Sequence, residues 1–403
     1  IDLDARGLAV TPRMLPCRFT DLTGSVRIDP KTIELNDIIA RRGPARARLS
    51  GRGDPASGEW DLKVAAEQVV IDPEFVRALP ETLGTLIRDA RLDGHYDVEF
   101  KKLRIPAASG DSRQTGSDVP DMEFEVSLRT RDGSMEVGLP LTDIAGNLEF
   151  LGATRGGTMG PLQGKLEIER FNLGPLPVEH LTAHLQKRSD SPVVSVSDLR
   201  CAFAGGDLAG RIDWSWPAEG PARYATSVVL RDADVTRLMS EAGAQIKGQM
   251  TASLAVEGAW NDPGSRRGRG DVLVEGDELY RVPLLLGLLQ VTNLSLPINS
   301  PFNRASVRYG VEGDRVTIEA IELAASQMKM TGDGYLDFAD KRVFLNLATD
   351  STNWLKVPVL EDLLRGARKE LLQIRVRGSI QDPQFSAGSL PTITTTIDEV
   401  FKR

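Results

Sequence analysis

The sequence predicts a mainly β protein of short antiparallel strands with few helices, and two observations carry that reading. The first is alternation. In residues 245–256, Met250, Ala252, Leu254 and Val256 point one way while Thr251, Ser253 and Ala255 point the other, as a pleated strand demands. Val316 with Ile318, Val343 with Leu345 and Leu347, Phe124 with Val126 and Leu128, and Trp60 with Leu62 and Val64 repeat the scheme. The second observation is that helical spacing is confined to a few short segments.

Each of those segments has a local reason. Residues 73–90 carry Phe75, Val76, Leu79, Leu83, Leu86 and Ile87 at helical spacing, and Asp72 before Pro73 is a good N-cap with proline at the first position. Residues 234–242 read as a shorter copy. Residues 283–290 are almost wholly leucine, and 355–372 place Leu360, Leu363, Leu364, Leu371 and Leu372 between Arg and Lys. Helices that apolar must be buried, so they are expected to plug or cap the apolar face of a sheet. Residues 106–120, rich in Ser, Gly and Asp, read as a flexible loop. The organisation expected is a β repeat over 1–105, that loop, a second β repeat over 121–262 and a C-terminal region over 263–403.

A loose internal repeat supports this division. One copy starts at Gly24, continues through Thr32, Ala47 and Trp60, and ends in the helix after Asp72; a second runs from Gly164 through Val194, Leu208 and Tyr224 to the helix after Asp234. A third begins at Ala305 and passes through Val316, Met330 and Val343. Four strands leading into a helix is the order the first two copies suggest, and the third keeps the order of its strands, as in a stack of supersecondary units. The Gly-Asp pairs at 53–54, 206–207 and 332–333 read as turns or bulges, since glycine supplies positive φ and aspartate bonds its own backbone.

Composition narrows the function classes. At 403 residues the chain exceeds one compact core. Its 49 basic against 57 acidic residues leave a net charge of −8, which sets aside a sequence-independent grip on nucleic-acid phosphate. The longest apolar run, near 282–291, is far short of the roughly 20 residues of a membrane-spanning helix. The chain starts at Ile1 in strand-like sequence without an initiator Met or a leader, so the expectation is a piece of a longer protein with any anchor upstream. Cys17 and Cys201 are expected to be buried free thiols, although an oxidising compartment would permit a disulfide.

Catalytic constellations find little support. His180 and His184 stand four apart, a spacing that suits zinc on a helix, but no third ligand follows and the local sequence alternates like a strand. With three histidines and no nucleophile elbow, a triad is disfavoured. His95 reads as a surface strand residue. Asp97 and Glu99 resemble a glycosidase pair only until alternation places them on a wet face among many carboxylates. No catalytic residue, metal site or cofactor is assigned, and the chain is read as a non-enzyme.

Over about 265–385 the order of several pieces becomes specific. Gly268 to Gly276, then Val282 to Leu289, Pro301 to Asn303, Val307 to Tyr309, Val316 to Ile318, Met330 to Asp337 and Ile374 to Pro383 together resemble the C-terminal region of the AsmA-like family, which includes the TamB and YhdP proteins of double-membraned bacteria. Residues 1–260 resemble the degenerate repeats of the same proteins. The resemblance implies an elongated, twisted antiparallel sheet curled into a groove, with a few short capping helices. It further implies a periplasmic module, anchored to the inner membrane by an upstream helix, that carries phospholipid acyl chains between inner and outer membranes and affects outer-membrane assembly. The partner implied is phospholipid or another acyl lipid, with membrane contact through segments outside this chain and envelope partners unspecified.

Physics points the same way. The helices are too few to cover the apolar face of roughly twenty strands, which at about 4.8 Å each would make a trough on the order of 100 Å long. Lipid tails are one cover for it. The groove candidates are Val126, Leu128, Met250, Leu254, Val256, Val307, Tyr309, Val316, Ile318, Met328, Met330, Leu345 and Leu347. The competing account makes them an ordinary sandwich core. Two further function classes stay open: a scaffold for outer-membrane assembly that touches no lipid, and a carbohydrate-active β-solenoid enzyme.

Overall fold

The computed structural model describes residues 1–12, 15–79, 84, 87–107, 121–136, 140–155, 158–217, 219–238, 247–260, 262–276, 302–325, 329–349, 372–380 and 382–389. Two compact units divide the chain: one takes residues 1–203 and 209–222, the other 204–208 and 223–403.

The first unit contains β1 (Asp2–Val10), β2 (Phe19–Ile28), β3 (Ile33–Arg42), β4 (Ala45–Gly53), β5 (Trp60–Val70), β6 (His95–Ile105), β7 (Met122–Glu136), β8 (Pro140–Arg155), β9 (Thr158–Leu173), β10 (Leu176–Lys187) and β11 (Val193–Phe203). From β1 to β11 each strand pairs antiparallel with the next. The division between units falls within β12 (Gly206–Ser215). The second unit continues with β13 (Arg223–Asp234), β14 (Gln249–Ala259), β15 (Asp262–Glu275), β16 (Phe302–Glu312), β17 (Arg315–Ala325), β18 (Lys329–Asp337), β19 (Arg342–Thr349), β20 (Leu372–Ser379) and β21 (Pro383–Ser389), again paired in order. Among the described residues β1 pairs with β2 alone and β21 with β20 alone, so both ladders have open edges. The class expected, mainly antiparallel β with few short helices, is the one observed.

Two short helices stand among the described residues, each starting where its sequence pattern does. Helix α1 (Pro73–Ala78) starts as expected: the Asp72 carboxylate accepts the Phe75 N–H at 2.8 Å and Pro73 opens the first turn. It stops at Leu79, whose extended backbone ends the first run, and helical residues return at 84 and 87–89. Helix α2 (Val235–Leu238) follows β13, with Asp234 accepting the Thr236 N–H at 2.8 Å. The helix expected at 283–290 and Met328 lie outside the described residues, as do the helix expected at 355–372 except for Leu372, which opens β20, and the loop expected at 106–120 except for residues 106–107. In the second repeat copy, β10 stands between the strands begun by Gly164 and Val194, so five strands (β9 to β13) precede α2 where four were expected. The alternation around Leu181 carried that strand.

Bulges recur inside the strands. Asp21, Asp37, Asp143, Asp198 and Asp232, with Gln68 and His180, sit at φ between 49° and 55° within strands. The ladder registers shift beside Asp37, Gln68, Asp143, His180 and Asp232, where two residues on one strand face one on its neighbour. Aspartate tolerates the left-handed region better than most residues because its short side chain bonds locally, and a bulge bends its strand and increases local twist. All seven residues are exposed, while Ile38, Leu199 and Ala233, one residue further on, are buried. Orphaned bulge amides find side-chain partners: the Gln68 N–H donates to Asp97 at 3.0 Å. Asp97 therefore has a structural role.

Of the Gly-Asp pairs, only 53–54 precedes a hairpin turn, where Asp54 accepts the Ala56 N–H at 2.8 Å. Gly206 follows the turn at 204–205 and opens β12. Gly332 and Asp333 lie inside β18, because a Cβ at 332 would meet the Asn346 carbonyl oxygen at 1.9 Å; close backbone approach, not a turn, requires that glycine.

Near α1, Arg42 Nη2 donates to both Asp72 carboxylate oxygens at 2.8 Å, and its guanidinium lies 5.7 Å from the centre of the Phe75 ring. That hydrogen bond holds the Asp72 carboxyl below the usual carboxylate range, helped by the Phe75 N–H. Cys17 and Cys201 are free and buried, and burial pushes the Cys201 thiol up to about 11.

Two outcomes are expected. Asp72→Ala destabilises the first unit by about 1–2 kcal/mol in urea unfolding, through the lost cap and an Arg42 left with Glu74 alone at 3.5 Å. Because the folded pKa of Asp72 is depressed, its contribution is complete above the unfolded value of about 3.9 and disappears as pH falls through the folded value, so below about pH 4 wild type converges on Asp72→Asn. Separately, Asp232→Val costs about 1–2 kcal/mol and Asp232→Gly less, since a β-branched residue resists positive φ; equal costs in chemical denaturation would contradict the bulge account.

Candidate functional site

Residues directly opposite in an antiparallel ladder share a face, so the registers trace rows across each unit. In the first, Leu49, Val64, Phe100, Val126, Phe150, Gly164, Leu185 and Val196 follow one another across β4 to β11. A neighbouring row is Gly51, Leu62, Leu103, Phe124, Gly152, Leu162, Lys187 and Val194. A third contains Ala47, Ala66, Val98, Leu128, Leu148, Leu166 and Ala183. One residue along, the sequence of pairs becomes Arg48, Ala65, Glu99, Ser127, Glu149, Lys165, His184 and Ser197. One face is apolar and the other is wet.

The apolar face of the first unit is not fully covered. Leu62, Val64, Phe100, Leu103, Phe124, Leu128, Leu148, Phe150, Leu162 and Leu185 are half-buried, and only Val126 and Val196 of the two longer rows' larger side chains are buried. Seven strand spacings from β4 to β11 make the stripe about 34 Å across the strands, and Trp60 to Ala66 about 20 Å along them. Glycines in the rows face rings: a Cβ at 164 would come within 2.6 Å of the Phe150 ring. Lys187 reaches into this face, yet its Nζ donates to the Met159 carbonyl at 2.9 Å and to two more carbonyl oxygens. Its charge is therefore held at the strand end.

The second unit has the same rows with a different covering. Val228, Leu254, Gly270, Tyr309, Ile318, Gly334, Leu345, Val376 and Phe385 form one; Leu230, Ala252, Val272, Val307, Ile321, Gly332, Leu347 and Ile374 form the next. Flanking rows hold Met250 and Met330 on one side and Val256, Val316 and Val343 on the other. Met250, Leu254, Val256, Val307, Tyr309 and Val316 are half-buried, whereas Met330 is 0% and Leu345 and Leu347 are 1% exposed. These last three belong to a core with Val235, Phe302, Ile318, Ile321, Leu323, Val343, Ile374 and Val376. The Tyr309 hydroxyl donates to the Ser253 carbonyl oxygen at 3.2 Å, its ring lying across Gly270.

The described candidates are thus gathered on one face within each unit: Val126 and Leu128 in the first, the rest in the second. Covering changes along the second unit, from half-buried on β14 to β16 to sealed on β18 to β20. Sequence reasoning named two residues in the more open stripe of the first unit and passed over Leu62, Phe100, Leu148, Phe150 and Leu185. The signal was present as alternation, but glycines and the Lys187 position interrupt the apolar count.

A shallow depression of about 570 Å³ lies on the polar face of the first unit and one of about 470 Å³ on that of the second. In the first, Lys101 meets Glu149 at 3.1 Å, and Lys165 pairs with Glu167 beside it. His184 lies 3.7 Å from Asp198 and His180 sits on its bulge; among the described residues no three His, Cys, Asp or Glu groups converge as metal ligands. His95 Nδ1 lies 2.7 Å from Asp132 on the surface. No described helix is long and apolar enough to cross a membrane.

No family model, curated protein or solved structure matches the chain.

The covering predicts a contrast in unfolding experiments. Leu347→Ala, deep in the second unit, costs about 2–5 kcal/mol, whereas Leu62→Ala in the first costs about 1 kcal/mol because its side chain never leaves water completely.

Proposed function

We propose that this chain is a lipid-binding module of AsmA-like character, working in the periplasm, that holds phospholipid acyl chains against its apolar face during transfer between inner and outer membranes. The observation that carries the reading is the half-buried stripe of the first unit, where rows of Leu, Val and Phe run across eight strands and remain in contact with solvent. Exposed apolar surface of that continuity is rare in a soluble protein and marks an interaction site.

Hydrocarbon suits the stripe chemically. Each buried methylene contributes about 0.8 kcal/mol, so a tail is held firmly while any one-carbon displacement alters little. Apart from Lys187, already saturated by carbonyl oxygens, the rows present no charge to a tail. The stripe's length along the strands, about 20 Å, accommodates the roughly 15 Å of hydrocarbon in half a bilayer. The resemblance of residues 265–385 to the AsmA-like family supplies the compartment and the direction of the proposal, with membrane anchoring assigned to segments outside this chain.

Native mass spectrometry of gently purified protein tests it. Phospholipid co-purifies, and a double substitution Leu62→Glu with Phe100→Glu lowers occupancy at least about tenfold while circular dichroism stays unchanged. A lipid-free protein that also fails to bind a hydrophobic dye contradicts the proposal and favours a scaffold that touches no lipid.

A further inference from the structure

Among the described residues of the two longer apolar rows in the first unit, Lys187 alone carries a charge, standing between Leu162 and Val194. Its Nζ donates to the carbonyl oxygens of Met159 at 2.9 Å, Gly160 at 3.3 Å and Arg188 at 3.2 Å, which fixes the half-buried ammonium at the end of β10. Neutral oxygens use its N–H groups and leave its charge intact. On the polar face, by contrast, Lys101 has Glu149 at 3.1 Å and Lys165 has Glu167, and the neighbouring Arg188 takes Asp190 at 3.2 Å. Lys187 forms no ion pair among the described residues. A cation partly withdrawn from water against apolar side chains, with no counter-ion, favours an anion that arrives with an apolar body.

The same strand end carries tryptophan. The Trp216 N–H donates to the Pro192 carbonyl at 3.2 Å and Ser195 Oγ donates to Asp213, which together set the register of β12 on β11. Trp214 therefore stands opposite Val194, in the row of Lys187. It is half-buried, and Trp216, two residues further toward the strand end, is 42% exposed. Indole has an apolar body and a polar N–H, the combination that suits a boundary between hydrocarbon and water.

The geometry points to Lys187 as the residue that takes the phosphate of a bound phospholipid, an inference that rests on the lipid reading above and adds a direction to it. With the headgroup at Lys187 beside Trp214, the tails run along β10 past Leu185 and Ala183 to Leu181. Those six residues span roughly 20 Å, enough for the roughly 15 Å of hydrocarbon in half a bilayer. The ammonium is already ordered by its carbonyl partners, so meeting a phosphate costs little further side-chain entropy. Its two longer bonds leave N–H directions that a phosphate oxygen can share.

Two probes with identical tails, a phosphatidylglycerol and a diacylglycerol, test it by native mass spectrometry of the full chain. Lys187→Met weakens phosphatidylglycerol binding about tenfold and leaves diacylglycerol binding unchanged, while Lys187→Arg, which keeps the charge, stays close to wild type. Circular dichroism confirms that each variant is folded. In a variant retaining Trp214 as its single tryptophan, a quencher on the phosphatidylglycerol headgroup dims the emission; in the corresponding Trp60 variant, five strand spacings or about 24 Å away, it does not. Wild-type protein that binds neither probe overturns the lipid reading and this inference with it. Binding of both probes that Lys187→Met leaves unaltered, or lowers equally, overturns the assignment of Lys187 alone. So does a headgroup quencher that dims Trp60 in place of Trp214, and so does displacement of the lipid by excess inorganic phosphate, which would make Lys187 a site for the free ion.

Discussion

A bent β-strand must lengthen one path without exchanging its faces, and the structure depends on that constraint. A slip of one residue would move every apolar side chain of a strand to the wet side. Aspartates in the left-handed region prevent this: each takes up the surplus residue, remains exposed, and returns the chain to its alternation, so that Ile38, Leu199 and Ala233 emerge on the buried side. The apolar rows are continuous across eight strands because the bulges keep them in phase. Their cost is modest, since Asp37 and Asp232 occupy a conformation that their own side chains make tolerable.

What could be read in the sequence follows from the same physics. Period-two alternation is local, and it placed every described groove candidate on the apolar face of its own unit, Val126 and Leu128 in the first and the rest in the second. The cap of α1 was equally local, a carboxylate followed by proline. The aspartate bulges were not read, although Asp before an aliphatic residue at 21–22, 37–38, 143–144 and 198–199 is a visible recurrence. The reason is that a bulge is defined by its neighbour: only the opposing strand shows that two residues face one. At 332–333, expected as a turn or a bulge, the register shifts within the ladder and no turn forms; a glycine required by backbone approach looks the same in sequence as one required by a turn.

Covering was the least legible property. Leu345 in the second unit and Leu62 in the first have the same pattern around them, yet one is sealed and the other half-wet. Burial depends on what lies over a face, and alternation reports only that a face exists. This difference gives the two units separate meanings. The inner face of the second includes a conventional core, built on Phe302, Met330, Leu347 and Ile374, that stabilises its own strands. The first unit leaves its largest apolar side chains partly in water, a thermodynamic liability for a free-standing domain and an asset for one that receives hydrocarbon.

Trp60 stands on the inner face of the first unit, paired with Gly53 and Ile105, and offers the most direct measurement. In a variant retaining this as its single tryptophan, fluorescence is recorded with phospholipid brominated on its acyl chains. Entry of hydrocarbon into the stripe predicts strong quenching that headgroup-labelled lipid does not reproduce; emission unchanged by brominated tails, in protein shown to be folded, would contradict the account.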